Sequence, residues 1–301
     1  MNFRITGTSL LAAFLLHPLR FTGTDYESER KRLERLAETG DATAQFSLGN
    51  FYEYGWGVPV DYESAAAWYI RAAKQGQKDA QFNLGLFYLN GQGVGKDASQ
   101  AAVWFRKAAA AGNKLAQCNL GVLYEQGLGL RQDSSQAMRW FLAAARQGDA
   151  MAQYNLGVKY MDGTGVHRDI GEARRWLELS AEHGYAAAQY KLGWLYSNEQ
   201  TLAEDSSKAV SWFQRAARQG EPLALFALGV MAANGEGLPQ DSSAAFAFFS
   251  LSAKNGYSTA LDARTQLEAT MSQQEVRRGQ DLARNWKAKP EAEENSLSKQ
   301  P

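Results

Sequence analysis

An all-α solenoid of stacked helical hairpins is the fold that this 301-residue sequence predicts, on three observations. First, a Leu-Gly pair recurs at Leu48-Gly49, Leu84-Gly85, Leu120-Gly121, Leu156-Gly157, Leu192-Gly193 and Leu228-Gly229, in equal steps of 36 residues. A fixed period of that size marks a stacked-repeat architecture. Second, Ala44, Leu48, Phe51 and Tyr52 fall at i, i+4, i+7 and i+8, the pattern of an amphipathic helix. Third, glycines and one aspartate punctuate each period at fixed places. A solenoid grows without enlarging a single core, so this length does not imply two domains. It also presents a surface rather than one catalytic pocket.

Residues 1–25 precede the repeats. Arg4 leads into an apolar run, residues 9–16. The run is shorter than the about 20 residues a membrane span needs and fits the about 7–15 of a secretory signal. Arg20 follows closely, and no A-x-A-like cleavage site precedes Tyr26. Two readings stand. One is export or membrane anchoring through residues 9–16, favouring the periplasm or secretory pathway over the cytoplasm. The other is an N-terminal helix docked on the first repeat. Residues 26–40 read as a helix, with Leu33 and Leu36 on one face, forming a half-repeat or cap. Six units follow, at 41–76, 77–112, 113–148, 149–184, 185–220 and 221–256. Residues 257–286 supply C-terminal capping helices. Ala260, Leu261 and Leu267 continue one more first helix, and Ser272-Gln273-Gln274-Glu275 carries the S-x-x-E of a capping box. The tail, 287–301, is polar without periodicity and reads as disordered.

Within a unit, Gly55 and Gly57 end the first helix and Asp61 opens the second. Asp97, Asp133, Asp169, Asp205 and Asp241 hold the same place, where aspartate is a strong N-cap. Gln100, Gln136 and Glu172 lie three residues later and complete capping-box-like pairs. Ala65, Trp68, Tyr69, Ala72 and Ala73 form the buried face of the second helix. Gly76, Gly112, Gly148, Gly184, Gly220 and Gly256 end it, in the place of a left-handed C-cap. The single cysteine, Cys118, stands where other units carry Phe46, Phe82, Tyr154, Tyr190 and Phe226, so it reads as a small buried hydrophobe.

These columns resemble the Sel1-like repeat family, relatives of the tetratricopeptide repeat. The second unit shows the pattern: Ala80-Gln81-Phe82-Asn83-Leu84-Gly85, then Tyr88, Gly91, Gly93-Val94, Asp97, Ala101, Trp104-Phe105, Ala108-Ala109 and Gly112. The fifth unit departs at 198–202, where glycines are expected, and its turn should differ. The sixth has Ala232 for Tyr and Phe248 for Trp. The resemblance implies an all-α, right-handed α-α superhelix of Sel1-like, TPR-like hairpins. It also implies a non-catalytic scaffold or adaptor for protein partners. Family members act in signalling, protein quality control, polysaccharide export and bacterial–host interaction, so the fold does not fix the function. A cell-envelope role in signalling, polysaccharide export or host interaction is the alternative.

Related repeats line a concave face with their first helices. Three columns there are not fixed by the repeat pattern. One holds Asn50, Leu86, Val122, Val158, Trp194 and Val230; the second Glu53, Leu89, Glu125, Met161, Ser197 and Ala233; the third Tyr54, Asn90, Gln126, Asp162, Asn198 and Asn234. An apolar stripe with a polar rim marks a protein-binding site. Trp194 and Tyr54 are its natural anchors, and Asn90, Gln126, Asn198 and Asn234 could hydrogen-bond an extended peptide. The competing reading buries the apolar column between neighbouring helices.

The charge balance, 32 basic against 32 acidic residues, argues against nucleic acid, which demands a basic stripe. The run Arg30-Lys31-Arg32 is interleaved with Glu27, Glu29 and Glu34. His17, His167 and His183 have no metal-site spacing. Gly91-Gln92-Gly93 follows no strand and lacks the Lys-Ser/Thr of a phosphate loop. Cysteine-rich relatives described as β-lactamases carry paired cysteines that this chain lacks. No catalytic residue, cofactor or metal is therefore expected, and membrane contact is expected only through residues 9–16 if they are retained.

Overall fold

A computed structural model describes residues 23–198 and 203–286. Among them are fifteen helices and no strand. Helix α1 (Gly23–Glu38) precedes six hairpins: α2 (Ala42–Tyr54) with α3 (Tyr62–Lys74), α4 (Lys78–Asn90) with α5 (Ala98–Ala110), α6 (Lys114–Gln126) with α7 (Ser134–Arg146), α8 (Ala150–Asp162) with α9 (Ile170–Glu182), α10 (Ala186–Asn198) with α11 (Ala203–Arg218), and α12 (Pro222–Asn234) with α13 (Ser242–Lys254). Helices α14 (Thr259–Glu268) and α15 (Gln273–Asn285) follow, both packed on α13. The apolar run 9–16, the tail and the fifth unit's turn at 199–202 lie outside the described residues. The chain divides into two compact units, one ending at Asp149 and the other beginning at Ala150.

Each hairpin closes by the same devices. Asp61, Asp97, Asp133 and Asp241 adopt extended backbone and accept hydrogen bonds from the N–H groups two and three residues on. The reciprocal half of the expected capping boxes is not made at Asp97, Asp133 and Asp169. Their own N–H groups donate instead to the carbonyls of Tyr88, Tyr124 and Tyr160, at 2.8–2.9 Å, which ties each turn to the first helix. Only Ser272 and Glu275 form a complete box among the described residues. Asp205 departs too: α11 begins at Ala203, so Asp205 lies inside its first turn. Ala203 and Glu204 are good helix formers and carry the helix start forward.

The two helices of a hairpin approach closely at the Leu-Gly column. A Cβ on Gly121 would sit 2.7 Å from Phe141, and one on Gly85 would sit 2.6 Å from Phe105. Those rings are fully or almost fully buried, and burying such a side chain contributes about 1.5–3 kcal/mol. In the first unit, Ala65, Tyr69, Ala72, Leu84 and Phe87 form one such layer. In the second, Ala173, Leu177, Ala188, Leu192 and Leu195 form another.

A polar ladder joins successive hairpins. Gln45, Gln81, Gln117 and Gln189 each donate Nε2 to a carbonyl near the end of the preceding second helix, at 3.0–3.1 Å. Their Oε1 atoms look 30 residues ahead. Gln75 donates to Gln45 at 2.8 Å, Gln147 to Gln117 at 2.7 Å and Gln219 to Gln189 at 2.9 Å. His183 Nδ1 meets Gln153 Oε1 at 2.9 Å in the same way. Gln81 alone departs: Ala111 stands at the partner position, and Gln81 Oε1 is buried without a partner.

Candidate functional site

The first helices present their columns unevenly. In the first unit Asn50 and Val122 are buried and Leu86 is half-buried. In the second, Val158 and Val230 are half-buried and Trp194 is 42% exposed. Asn50 is occupied: its Oδ1 accepts from the Tyr69 hydroxyl at 2.6 Å. Tyr69 replaces the Phe105, Phe141, Phe213 and Phe249 of its column, and its hydroxyl also reaches Glu53 Oε2. Burial pushes the Glu53 carboxyl above its ordinary value, against the opposing hydrogen bonds of Tyr69 and Tyr54. Burial, then the Glu53 charge, pushes the Tyr54 phenol up to about 12. Tyr54 also stacks on Trp56, with ring centroids 5.2 Å apart.

Glu53, Tyr54 and Leu86 come together around one cavity of about 350 Å³, with Phe82, Asn83, Asn113 and Leu115. Lys78, Asp79 and Lys114 add charge of both signs, and Asn113 Nδ2 donates to Asp79 Oδ1 at 2.9 Å. Leu89 packs on the layer beneath. Glu125 is half-buried and Gln126 exposed, and Asn90 Nδ2 donates to Gln92.

In the second unit Met161, Asp162, Trp194 and Asn198 share a cavity of about 490 Å³ with Arg168, Ile170 and Leu195. Met161 is itself buried, and its carbonyl accepts from Arg168 Nε at 3.0 Å. Lys191 Nζ lies 5.9 Å from the Trp194 ring centroid. Asn198 Nδ2 donates to the Trp194 carbonyl at 2.8 Å, and Asn234 Nδ2 to Glu236 at 2.9 Å. Ser197 is half-buried and its hydroxyl also bonds the Trp194 carbonyl. Ala233 packs among Phe226, Val230 and Phe249.

A fourth column was not among those singled out from the sequence: Ser47, Asn83, Asn119, Asn155, Lys191 and Ala227. Asn83 and Asn119 are buried. Asn83 lies beside the Tyr69 hydroxyl without a well-formed bond from its Nδ2. Asn119 Nδ2 donates to the Leu115 carbonyl, while its Oδ1 has no partner. Asn155 Nδ2 has none either. The 36-residue step carried this signal, hidden because Asn83 falls inside the repeat motif. Lys159 was also missed. It is 5% exposed in a column otherwise made of Phe51, Phe87, Leu123, Leu195 and Met231.

Cys118 is fully buried, and burial, then Asp149, pushes its thiol far above the ordinary value, so it carries no thiolate. No group of three or more His, Cys, Asp or Glu among the described residues could hold a metal. No helix among them is long and apolar enough to cross a membrane.

The Sel1 repeat model matches residues 42–77, 78–113, 114–149, 150–185, 186–221 and 222–257, most of the chain. The chain belongs to the Sel1 repeat family. Two solved structures are similar along most of its length. One is a protective antigen present in uropathogenic Escherichia coli strains, displaying an SLR fold. It is 34% identical, with a TM-score of 0.75 over 89% of this chain. This chain spans only 57% of that protein. The other is a Sel1 repeat protein from Oxalobacter formigenes, 30% identical, with a TM-score of 0.69. The match covers 82% of this chain and 99% of that one. Among curated proteins none matches. Sel1 repeats form helical solenoids that generally serve as protein-interaction scaffolds, because stacked hairpins create extended binding surfaces.

Proposed function

We propose that this Sel1 repeat protein is a non-catalytic adaptor that captures an extended segment of a partner protein on its first helices. The observation that supports this reading best is Trp194. A tryptophan 42% exposed beside a cavity lined by Ile170, Leu195, Asp162 and Asn198 is a hot-spot anchor with a polar rim. In the first unit, Tyr54, Phe82 and Leu86 offer a second apolar seat. Of the residues singled out from the sequence, the adaptor reading now rests on Glu53, Tyr54, Leu86, Asp162, Trp194 and Asn198. Asn50, Val122 and Met161 support it from below as buried residues. Affinity capture with crosslinking, run beside Trp194→Ala, tests the reading. Loss of a stoichiometric partner, with helicity retained, is expected; equal capture by the variant would overturn the site.

A second reading, an envelope or host-facing role, is favoured by the description of the similar Escherichia coli protein as a protective antigen. Determining the mature N-terminus and the fractionation of the native protein decides it. A full-length cytoplasmic product would end that reading.

A further inference from the structure

Helix α1 takes the place of a second helix, in register with the repeats. Gln45 Nε2 donates to the Ala37 carbonyl as Gln81 Nε2 does to that of Ala73, 36 residues on. A Cβ on Gly57 would meet Tyr26, as one on Gly93 would meet Tyr62. The later second helices α3, α5, α9 and α11 each lie between the first helix of their own hairpin and the next first helix, whereas α1 has its packing partner in α2. One side of α1 is therefore uncovered. Leu36 is 39% exposed, although Ala72, Ala108, Ala144 and Ala216 of its column are fully buried. A cavity of about 540 Å³ opens there, with Tyr26, Leu33, Leu36, Phe51 and Trp56 as its apolar wall. Thr43, Ser47 and Asn50 of α2 complete it. In the next unit the equivalent positions, Asp79, Asn83 and Leu86, share a cavity with Glu53 and Tyr54 of the preceding first helix. The cavity on α1 thus lies where a first helix preceding α2 would run.

We propose that residues 6–18 of this chain fill that cavity, as the first helix of a seventh hairpin that α1 completes. One 36-residue step back from α2 falls on 6–18. In that register Leu10, Ala12, Ala13, Leu15 and Leu16 stand at the places of Phe46, Leu48, Gly49, Phe51 and Tyr52, so the inward face is apolar throughout. Ala12 and Ala13 are small enough for a close approach, and Leu33 is smaller than the Tyr69 and Phe105 of its column. Glu29 stands in a column of buried alanines, and Arg32 compensates its charge through two bonds of 2.7 and 2.8 Å. The fifth unit supplies the matching spacing. Helix α11 (Ala203–Arg218) and α1 (Gly23–Glu38) are both 16 residues long and occupy the same places in the repeat. Helix α10 ends at Asn198, the equivalent of Pro18, which leaves residues 199–202 in one unit and 19–22 in the other. The seat is separate from the cavities beside Tyr54 and Trp194, so it stands or falls independently of the adaptor reading. It competes with export or anchoring through residues 9–16.

Thiol labelling of the full chain carrying Leu36→Cys tests this. Cysteine is close in size to the alanines of that column, and the native Cys118 is fully buried and slow to react. With the seat filled, the introduced thiol should react about tenfold or more slowly than after Leu15→Glu is added, because labelling then waits on local opening. Leu11→Glu should leave the slow rate unchanged, since its place is that of Ser47, which faces the preceding first helix. If Leu36→Cys loses helicity by circular dichroism, hydrogen exchange across α1 in the chain with and without Leu15→Glu gives the same reading. Fast labelling that Leu15→Glu does not change would overturn the proposal. So would equal acceleration by Leu11→Glu and Leu15→Glu, which would show loose apolar contact without this register. A native protein whose intact mass lacks residues 6–18 would overturn it as well.

Discussion

Replacing Ala111 by glutamine should stabilise this protein, which is unusual for a change at an exposed position. The Gln81 carbonyl oxygen is buried and unpartnered because the donor found at Gln75, Gln147 and Gln219 is missing from its own repeat. The backbone at Ala111, φ −78° and ψ 7°, matches that of Gln75 at −86° and 1° and of Gln147 at −89° and 9°. The new side chain therefore needs no backbone change. A satisfied hydrogen bond contributes about 0.5–1.5 kcal/mol, and an orphaned buried acceptor costs about 1–3 kcal/mol. Ordering the glutamine side chain opposes this by about 1–2 kcal/mol. The net expectation is about 1 kcal/mol of added stability, or roughly 2–4 °C in Tm for a chain of this size. Thermal and urea unfolding of Ala111→Gln would measure it. The control is Gln81→Leu, which imitates the leucine at 225 in the same column. In that background Ala111→Gln should have no stabilising effect. An equal gain in both backgrounds, or no gain in the parent, would refute the reasoning.

Gly121→Ala should destabilise by about 1–2 kcal/mol, because overpacking against Phe141 outweighs the better helix propensity of alanine; a lower urea midpoint at unchanged slope would show it. Glu53 tests the electrostatics of the first unit. Burial raises its folded pKa above the ordinary value of 4.5, so the folded state holds the proton to higher pH and stability falls as pH rises through that folded value. Glu53→Gln keeps an acceptor for Tyr69 and removes the charge. Its stability relative to the parent should therefore grow between pH 4 and pH 7, and a constant difference across that range would show that the burial of Glu53 has been misjudged.

The solenoid was legible because its determinants are local. The Leu-Gly step, the capping aspartates and the C-terminal glycines act within one helix or turn, so their spacing alone predicts hairpins. The capping boxes were only half legible, since nothing local reveals that the aspartate N–H is claimed by a tyrosine carbonyl nine residues earlier. The candidate site was less legible still. Periodicity tells which residues share a helix face, but the rotation of one hairpin on the next decides how much of that face is covered. Asn50 and Val122 are closed over while Trp194 in the same column is open. The asparagine column at 83, 119 and 155 escaped notice for the same reason: an unpartnered amide is visible only once its neighbours are placed. Lys159 breaks an otherwise apolar column, and its burial follows from the fold rather than from its residue type.

Hydrogen exchange with and without the captured partner tests the central claim most directly. Binding on the first helices should slow exchange in α4 and α10, around Leu86 and Trp194, and leave their hairpin partners, the second helices α5 and α11, unchanged. Protection centred on the second helices, with the first helices unaffected, would contradict the account.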